Sequence, residues 1–332
     1  MMVHNDLKQL PEFKNAVITI GSFDGVHCGH QKIIQRVNQL AQKVDGESVL
    51  ITFHPHPRLV IYPKDDSLQL ITTIDEKVRL LERYGLDHVV VVPFSIEFSQ
   101  QSADEYIVNF LVDRFRPKYI VIGYDHKFGL NRQGDIDFLK HYQEAYDYQV
   151  EEIPVQEIND LSISSTKIRK AVQKGEIAAA NELLGHYYTL TGTVVHGQQI
   201  GITLGFPTAN LEVNHPHKLI PPNGIYAVRV KHHDQTYGGM LYIGDRPSLK
   251  DLNNQTIEVN IFEFEKNIYG DRLLVEFVAY VRSDITFSNL ADLSVQLGKD
   301  KIASQAILQK QVLQKSTQNK EVDPSVAVVI LN

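Results

Sequence analysis

The chain has 332 residues, of which 43% are hydrophobic and 22% charged, and a formal net charge of −7. That length exceeds what one hydrophobic core usually supports, so two domains are expected. A net acidic chain without a long basic run is excluded as a non-specific binder of nucleic acid. Cys28 is the single cysteine, which leaves no internal disulfide framework. No apolar run reaches the roughly 20 residues of a membrane-spanning helix, and the start "MMVHNDLKQLPEF" lacks the layout of a signal peptide. A cytoplasmic protein with neither nucleic-acid nor membrane partners is the expectation.

In chain order, "AVITIG" (16–21) reads as a buried strand, a helix is predicted over 29–43, and "SVLITF" (48–53) is a second strand. Asp75 is a candidate cap for the helix "EKVRLLERY", which Gly85 stops before the strand "HVVVVPF". Ser102 can cap "ADEYIVNFLVDRF", Pro117 follows it, and "YIVIG" (119–123) is the next strand. "DIDFLKHYQEAY" predicts a helix and "YQVEEIPV" a last strand. Strands alternating with such helices imply βαβ units and a parallel sheet. Ligands in these sheets sit at the carboxyl ends of strands. Both "GSFDGVHCGH" and "GYDHKFG" follow strands directly, so both should face one crevice.

The pattern changes near Gly185. From Tyr187 on, short β-rich runs separated by turn residues suggest a small antiparallel barrel, with a hairpin through "HHDQ". A helix is predicted from Asn289 to about Gln309, followed by a polar tail whose role is open.

No GxxxxGK[ST] or GxGxxG spacing occurs. "GSFDGVHCGH" instead places His27 and His30 three apart at a helix start, where unpaired N–H groups and the helix dipole attract anions. His54 and His56 in "TFHPHP" raise a zinc reading, but the thiolates and carboxylates usual for such sites are missing. Either histidine pair alone would pass for surface or packing residues; both lie just after strands. "ISSTKIRKAVQKGE" (163–176) adds Ser164 as a cap, further hydroxyls and Arg169 within one helical turn. Alone it would be an ordinary capped helix with exposed basic residues. Beside the His-x-Gly-His turn it points to a nucleoside triphosphate.

His-x-Gly-His near the N-terminus and Ile-Ser-Ser-Thr-x-Ile-Arg later resemble the nucleotidyltransferase superfamily. "GQQIGITLGFPTANL" (197–211), "PPNGIYAV" (221–228), "IGDRPS" (243–248) and "IEVNIFEFEKNIYGD" (257–271) resemble the riboflavin kinase domain. The two sets in this order are similar to the prokaryotic bifunctional riboflavin kinase/FMN adenylyltransferase (FAD synthetase) family, over roughly residues 14–308. The resemblance implies an α/β, Rossmann-like nucleotidyltransferase domain with a parallel sheet over 1–184. It implies a small antiparallel β-barrel with a C-terminal helix over 185–310, leaving a tail at 311–332.

It further implies that riboflavin is phosphorylated to FMN with ATP and that FMN is adenylylated to FAD, with Mg²⁺ required. In the first domain, His27, His30 and Arg169 would be catalytic. Gly21, Phe23, Asp24, Gly29, Phe53, His54, Pro55, Asp125, Ser164, Ser165 and Thr166 would bind the nucleotide and flavin. Asp24 would position the turn or a metal. In the second, Glu258 would be the general base, Gly205 and Pro207 would bind the nucleotide, and Thr208 and Asn210 would hold Mg²⁺. From pattern alone, Glu258 is a solvent-facing residue of an alternating strand and Pro207-Thr208 a plain turn. His126, Ile202, Tyr242 and Ser248 depart from the family's residues, three of them in the kinase half. Two alternatives follow: an adenylyltransferase with a degenerate kinase barrel, or a flavin-binding regulator without turnover.

Overall fold

The computed structural model describes residues 1–65, 67–124, 126–154, 163–197, 200–245 and 255–321. Two compact units result. One gathers Met1–Arg169, Leu183–His186 and His217–Leu219; the other holds Lys170–Glu182, Tyr187–Pro216 and the residues from Ile220 on.

The first unit is built on strands β1 (Met2–His4), β2 (Val17–Ile20), β3 (Ser48–His54), β4 (His88–Pro93), β5 (Tyr119–Gly123) and β6 (Gln149–Ile153). They form one sheet in the order β1-β4-β3-β2-β5-β6, and every neighbouring pair is parallel. Apolar runs such as "VITI" suit strands covered on both faces. Successive residues of β2 accordingly enter different cores. Ile18 and Ile20 pack with Tyr106, Phe110 and Phe115. Val17 packs on the other face with Ile33, Ile34, Val37 and Leu40 of the helix Cys28–Lys43. From β2 the chain moves outward through β3 and β4, then returns to the other side with β5. That reversal at β2 opens the sheet at the carboxyl ends of β2 and β5, where ligands bind in such folds.

Local details differ from expectation. Thr73, not Asp75, caps the helix Ile74–Leu81: Thr73 Oγ1 accepts from the Glu76 amide at 3.2 Å, and the Glu76 carboxylate accepts from the Thr73 amide at 3.0 Å. Ser102 and Glu105 form the same reciprocal box, but the helix they start is wound as a π-helix from Tyr106 to Val112. The stretch after Asp135 splits into Ile136–His141 and Gln143–Tyr146. β1, which pairs with β4, carries no strand signal of its own.

The second unit is a closed barrel of β7 (Tyr188–Val195), β8 (Ala209–Glu212), β9 (Gly224–His232), β10 (Gln235–Asp245), β11 (Gln255–Ile261) and β12 (Arg272–Arg282), ordered β10-β11-β8-β7-β12-β9. All pairs are antiparallel, and β9 pairs back onto β10 with His232 opposite Gln235. Closure leaves no unpaired edge. The helix Leu290–Glu321, longer than predicted, starts at Asn289, whose side chain accepts from the Asp292 amide at 2.9 Å. Asp300 on this helix is tied to β12 by two hydrogen bonds from Arg282, of 2.8 and 2.7 Å. Among the described residues no helix is long and apolar enough to cross a membrane.

Candidate active sites

In the first unit the turn after β2 is shaped by Gly25, whose φ of +85° suits glycine. Asp24 follows Phe23 into the interior and is 1% exposed. Its carboxylate accepts from the Ile71 amide at 3.1 Å, from the Thr72 amide at 2.9 Å and from the Thr72 hydroxyl at 3.2 Å. The guanidinium of Arg169 reaches the same carboxylate at 2.6 Å and donates through Nε to the Gln69 carbonyl at 2.7 Å. Burial opposes ionisation of Asp24, but Arg169, the Thr72 and Ile71 amides and the Lys77 ammonium outweigh it and hold the carboxyl below its usual range. Ser165, at the start of the helix Ser165–Gln173, donates to the Asp24 carbonyl at 3.0 Å. The sequence-predicted Asp24, Ser165 and Arg169 therefore meet, with Asp24 fastening the turn.

His27 caps the helix Cys28–Lys43: its Nδ1 accepts from the His30 amide at 3.3 Å. An accepting Nδ1 on a neutral ring leaves the proton on Nε2 as a donor. The His27 and His30 rings stack with centroids 3.6 Å apart at 15°. Burial pushes the His27 pKa down to about 4 in spite of Asp24, and pushes His30 well below its ordinary value, so both rings are neutral at pH 7. His30 Nδ1 is buried with no hydrogen-bond partner among the described residues. Phe23 is buried, its ring 4.9 Å from that of His30, and Gly29 is buried within the helix. Gly21 donates to the Ile51 carbonyl at 3.0 Å.

The remaining predicted residues are more dispersed. Phe53 joins Phe94 and Phe98 in an aromatic cluster, while His54 and Pro55 are exposed at the end of β3. Ser164 accepts from the Lys167 amide at 3.3 Å as predicted for a cap, and Thr166 is exposed. Asp125 lies outside the described residues, as does Ser248. The four N-terminal histidines do not gather as metal ligands. Among the described residues, His232, His233 and Asp271 in the barrel are the one group within ligand distance. Sequence reasoning missed Lys77, buried and donating to the Ser22 carbonyl at 2.6 Å, its pKa lowered by burial to about 8. It also missed Thr72. The "TIDE" capping-box spacing at Thr73–Glu76 was the available signal for this segment.

In the barrel, β8 and β11 place Asn210 opposite Glu258. The Thr208 hydroxyl donates to one Glu258 carboxylate oxygen at 3.0 Å and the Thr256 hydroxyl to the other at 3.3 Å. Asn260 donates to the Pro207 carbonyl at 2.7 Å, fixing the "FPT" turn beside exposed Gly205. Asn210 is buried, and a Cβ at Gly197 would overlap its carboxamide. Thr208 lines two cavities. One, of about 310 Å³, contains Glu258, Tyr242 and apolar residues including Leu204, Phe206 and Leu297. The other, of about 420 Å³, is bordered by Ile202, Pro207 and Lys266. Tyr242 donates to Asp284 at 3.0 Å; burial and that bond raise its pKa to about 12. Ile202 is 57% exposed.

The two halves match two family profiles, FAD synthetase over residues 9–167 and riboflavin kinase over 184–308. The bifunctional riboflavin kinase/FMN adenylyltransferase of Listeria monocytogenes is 35% identical over 296 residues, covering 89% of this chain and 93% of its own. The enzyme of the same name from Bacillus subtilis is 34% identical over 302 residues, covering 90% of this chain and 93% of its own. A crystal structure named as a macrolide-efflux protein from Streptococcus pneumoniae superposes with a TM-score of 0.81 at 31% identity, covering 92% of this chain and 98% of that one. With both profiles in order and relatives matched along nearly their whole length, the chain belongs to the bifunctional riboflavin kinase/FMN adenylyltransferase family.

Proposed function

We propose that the chain makes FMN and then FAD at two separate sites, adenylylation in the first unit and phosphorylation in the barrel. The observation that carries the reading is that each unit holds its own cluster of polar and charged side chains. One has a neutral histidine pair beside a buried Asp–Arg pair; the other has a carboxylate held by the hydroxyl of Thr208, the residue that lines both cavities.

In the first site an FMN phosphate oxygen attacks the α-phosphorus of ATP, and pyrophosphate leaves. Charge grows on oxygens already charged, so positioning and charge neutralisation supply the catalysis. His27 donates from Nε2, and the start of the helix Cys28–Lys43 adds its partial positive charge. The partnerless His30 nitrogen fits a phosphate or water hydrogen bond, whose absence costs about 1–3 kcal/mol in a buried site. Arg169, oriented by Asp24 and Gln69, faces the β- and γ-phosphates with Ser164, Ser165 and Thr166. Gly21, Phe23, Phe53, His54 and Pro55 border the flavin and adenine, and the resemblance adds Asp125.

In the barrel the riboflavin 5′-hydroxyl attacks the γ-phosphorus, its proton passes to Glu258, and ADP leaves. The apolar cavity beside Tyr242 suits the flavin ring, and the cavity beyond Thr208 suits ATP. Thr208, bonded to Glu258, and Asn210, opposite it across β8 and β11, offer hard oxygen donors, a set that fits Mg²⁺. When bound, the ion neutralises phosphate charge. The intact Thr208–Glu258 pair supports a working kinase over a degenerate barrel, and the histidine turn beside Arg169 supports turnover over a purely regulatory role. A cytoplasmic location suits the substrates and the lone cysteine. Incubation with riboflavin, ATP and Mg²⁺, with FMN and FAD separated by chromatography, tests the reading: both products are expected, and FMN alone or neither refutes it.

A further inference from the structure

Lys218 lies in the stretch matched to riboflavin kinase, between β8 and β9 in sequence, yet His217–Leu219 belongs to the first unit. Its ammonium is buried, with the side chains of Lys218 and Glu76 each 1% exposed. It donates to Glu76 at 2.7 Å and to the Ile71 carbonyl at 2.6 Å. A buried lysine is rare unless its charge is paired and used.

Three consecutive peptide units show what it is used for. The Gln69 carbonyl accepts from Arg169, and the amide of the same peptide, Leu70 N–H, donates to the His217 carbonyl at 2.6 Å. The Leu70 carbonyl accepts from the Leu219 amide at 2.9 Å, and its peptide partner, Ile71 N–H, donates to Asp24. The Ile71 carbonyl accepts from Lys218, and its peptide partner, Thr72 N–H, donates to the other Asp24 oxygen. Each peptide is thus bonded on one side to residues 217–219 and on the other to the Asp24–Arg169 pair. Hydrogen bonds in such chains polarise one another, so the cation at Lys218 strengthens the amide that holds Asp24. Glu76 also accepts from the Thr73 amide, which fixes the start of the helix that carries Lys77.

We propose that residues 217–219, anchored by Lys218, are a positioning segment for FMN adenylylation. They set the 69–72 strip that aims Asp24 and, through it, Arg169 at the triphosphate. The assignment rests on the functional reading above. It has a plain consequence: a stretch ending at residue 184 lacks part of its own site.

The test uses the full chain with Lys218→Met, and with Lys218→Met combined with Glu76→Gln, which leaves no unpaired buried charge if the single variant folds poorly. The KM for ATP is measured separately in FAD formation from FMN and in FMN formation from riboflavin. We expect the first to rise at least fivefold and the second to stay unchanged, in both variants that fold. A merely structural role lowers the amount of active enzyme, and so kcat, without moving KM. Unchanged KM in FAD formation, with or without a loss of kcat, therefore overturns the proposal, as does an equal rise in both reactions. The parent chain separates the two levels: no FAD from the parent overturns the functional reading, whereas an active parent matched by its variants overturns the positioning role alone.

Discussion

Replacing Asp24 by Asn changes one oxygen into an amide and nothing else in size. The native carboxylate accepts from two backbone amides and a hydroxyl and neutralises Arg169 at 2.6 Å. Asparagine can accept at one position only; its NH₂ group must face either a peptide N–H or the guanidinium, donor against donor. Arg169, 14% exposed, is left charged without its partner. Breaking such a buried pair costs about 3–5 kcal/mol. At a urea m-value of about 2 kcal/mol/M, that lowers the midpoint of the first unit by roughly 2 M. Urea titration followed by a probe in the first unit measures it, and FAD formation from FMN should fall with the loosened Arg169. A loss below about 1 kcal/mol would falsify the reading of Asp24 as the fastening of this turn. It would show that Arg169 finds another partner or water at no cost.

His27→Ala should slow FAD formation from FMN by about 10²–10³, the usual loss of one preorganised donor, while FMN formation from riboflavin persists; a normal rate removes His27 from the site. Glu258→Gln keeps the shape, with one of the Thr208 and Thr256 hydroxyls turned to accept from the new NH₂, and loses the base, so riboflavin phosphorylation should fall about 10²–10⁴-fold with adenylylation of supplied FMN spared. A parental rate would assign the proton to another acceptor. For pH, the unfolded chain protonates His27 near 6.5 but the folded chain only near 4. The unfolded state therefore binds more protons in that window, and the stability contribution, complete above pH 6.5, is lost toward pH 4, by about 2 kcal/mol at pH 5. Urea melts at pH 7 and pH 5 should show a drop smaller by that amount in His27→Gln than in the parent, and equal drops would rule out a buried neutral ring. Ile202→Arg adds a donor at the border of the 420 Å³ cavity. A hydrogen bond to a charged group is worth about 1.5–3 kcal/mol, so the kinase KM for ATP should fall about tenfold or more, and an unchanged or higher value means that the side chain points to solvent.

The sequence alone determined the layers of both units. Alternation of apolar strands with capped helices dictates a parallel sheet, and short β-runs with the turn at His233 and Asp234 dictate hairpins, because these signals act within a few residues. The helix start beside His27 and the cap at Ser102 were legible for the same reason, whereas the cap from the His27 ring and the return bond from Glu105 were not read. Thr73 was misread in favour of Asp75 although its partner stands only three residues on; the box needed both members to be read together. The resemblance named Asp24, Arg169, Thr208 and Glu258, but only the tertiary structure decided how they meet. Asp24 and Arg169 are 145 residues apart and Thr208 and Glu258 are 50 apart. A pairing at that distance leaves no periodicity or cap to read, since it depends on the path of the chain. The farthest case is Lys218, whose partner carbonyl at Ile71 lies 147 residues back. A lysine in a polar stretch reads as exposed, and only the fold, by supplying the Glu76 carboxylate and the Ile71 carbonyl as partners, makes burying its charge possible.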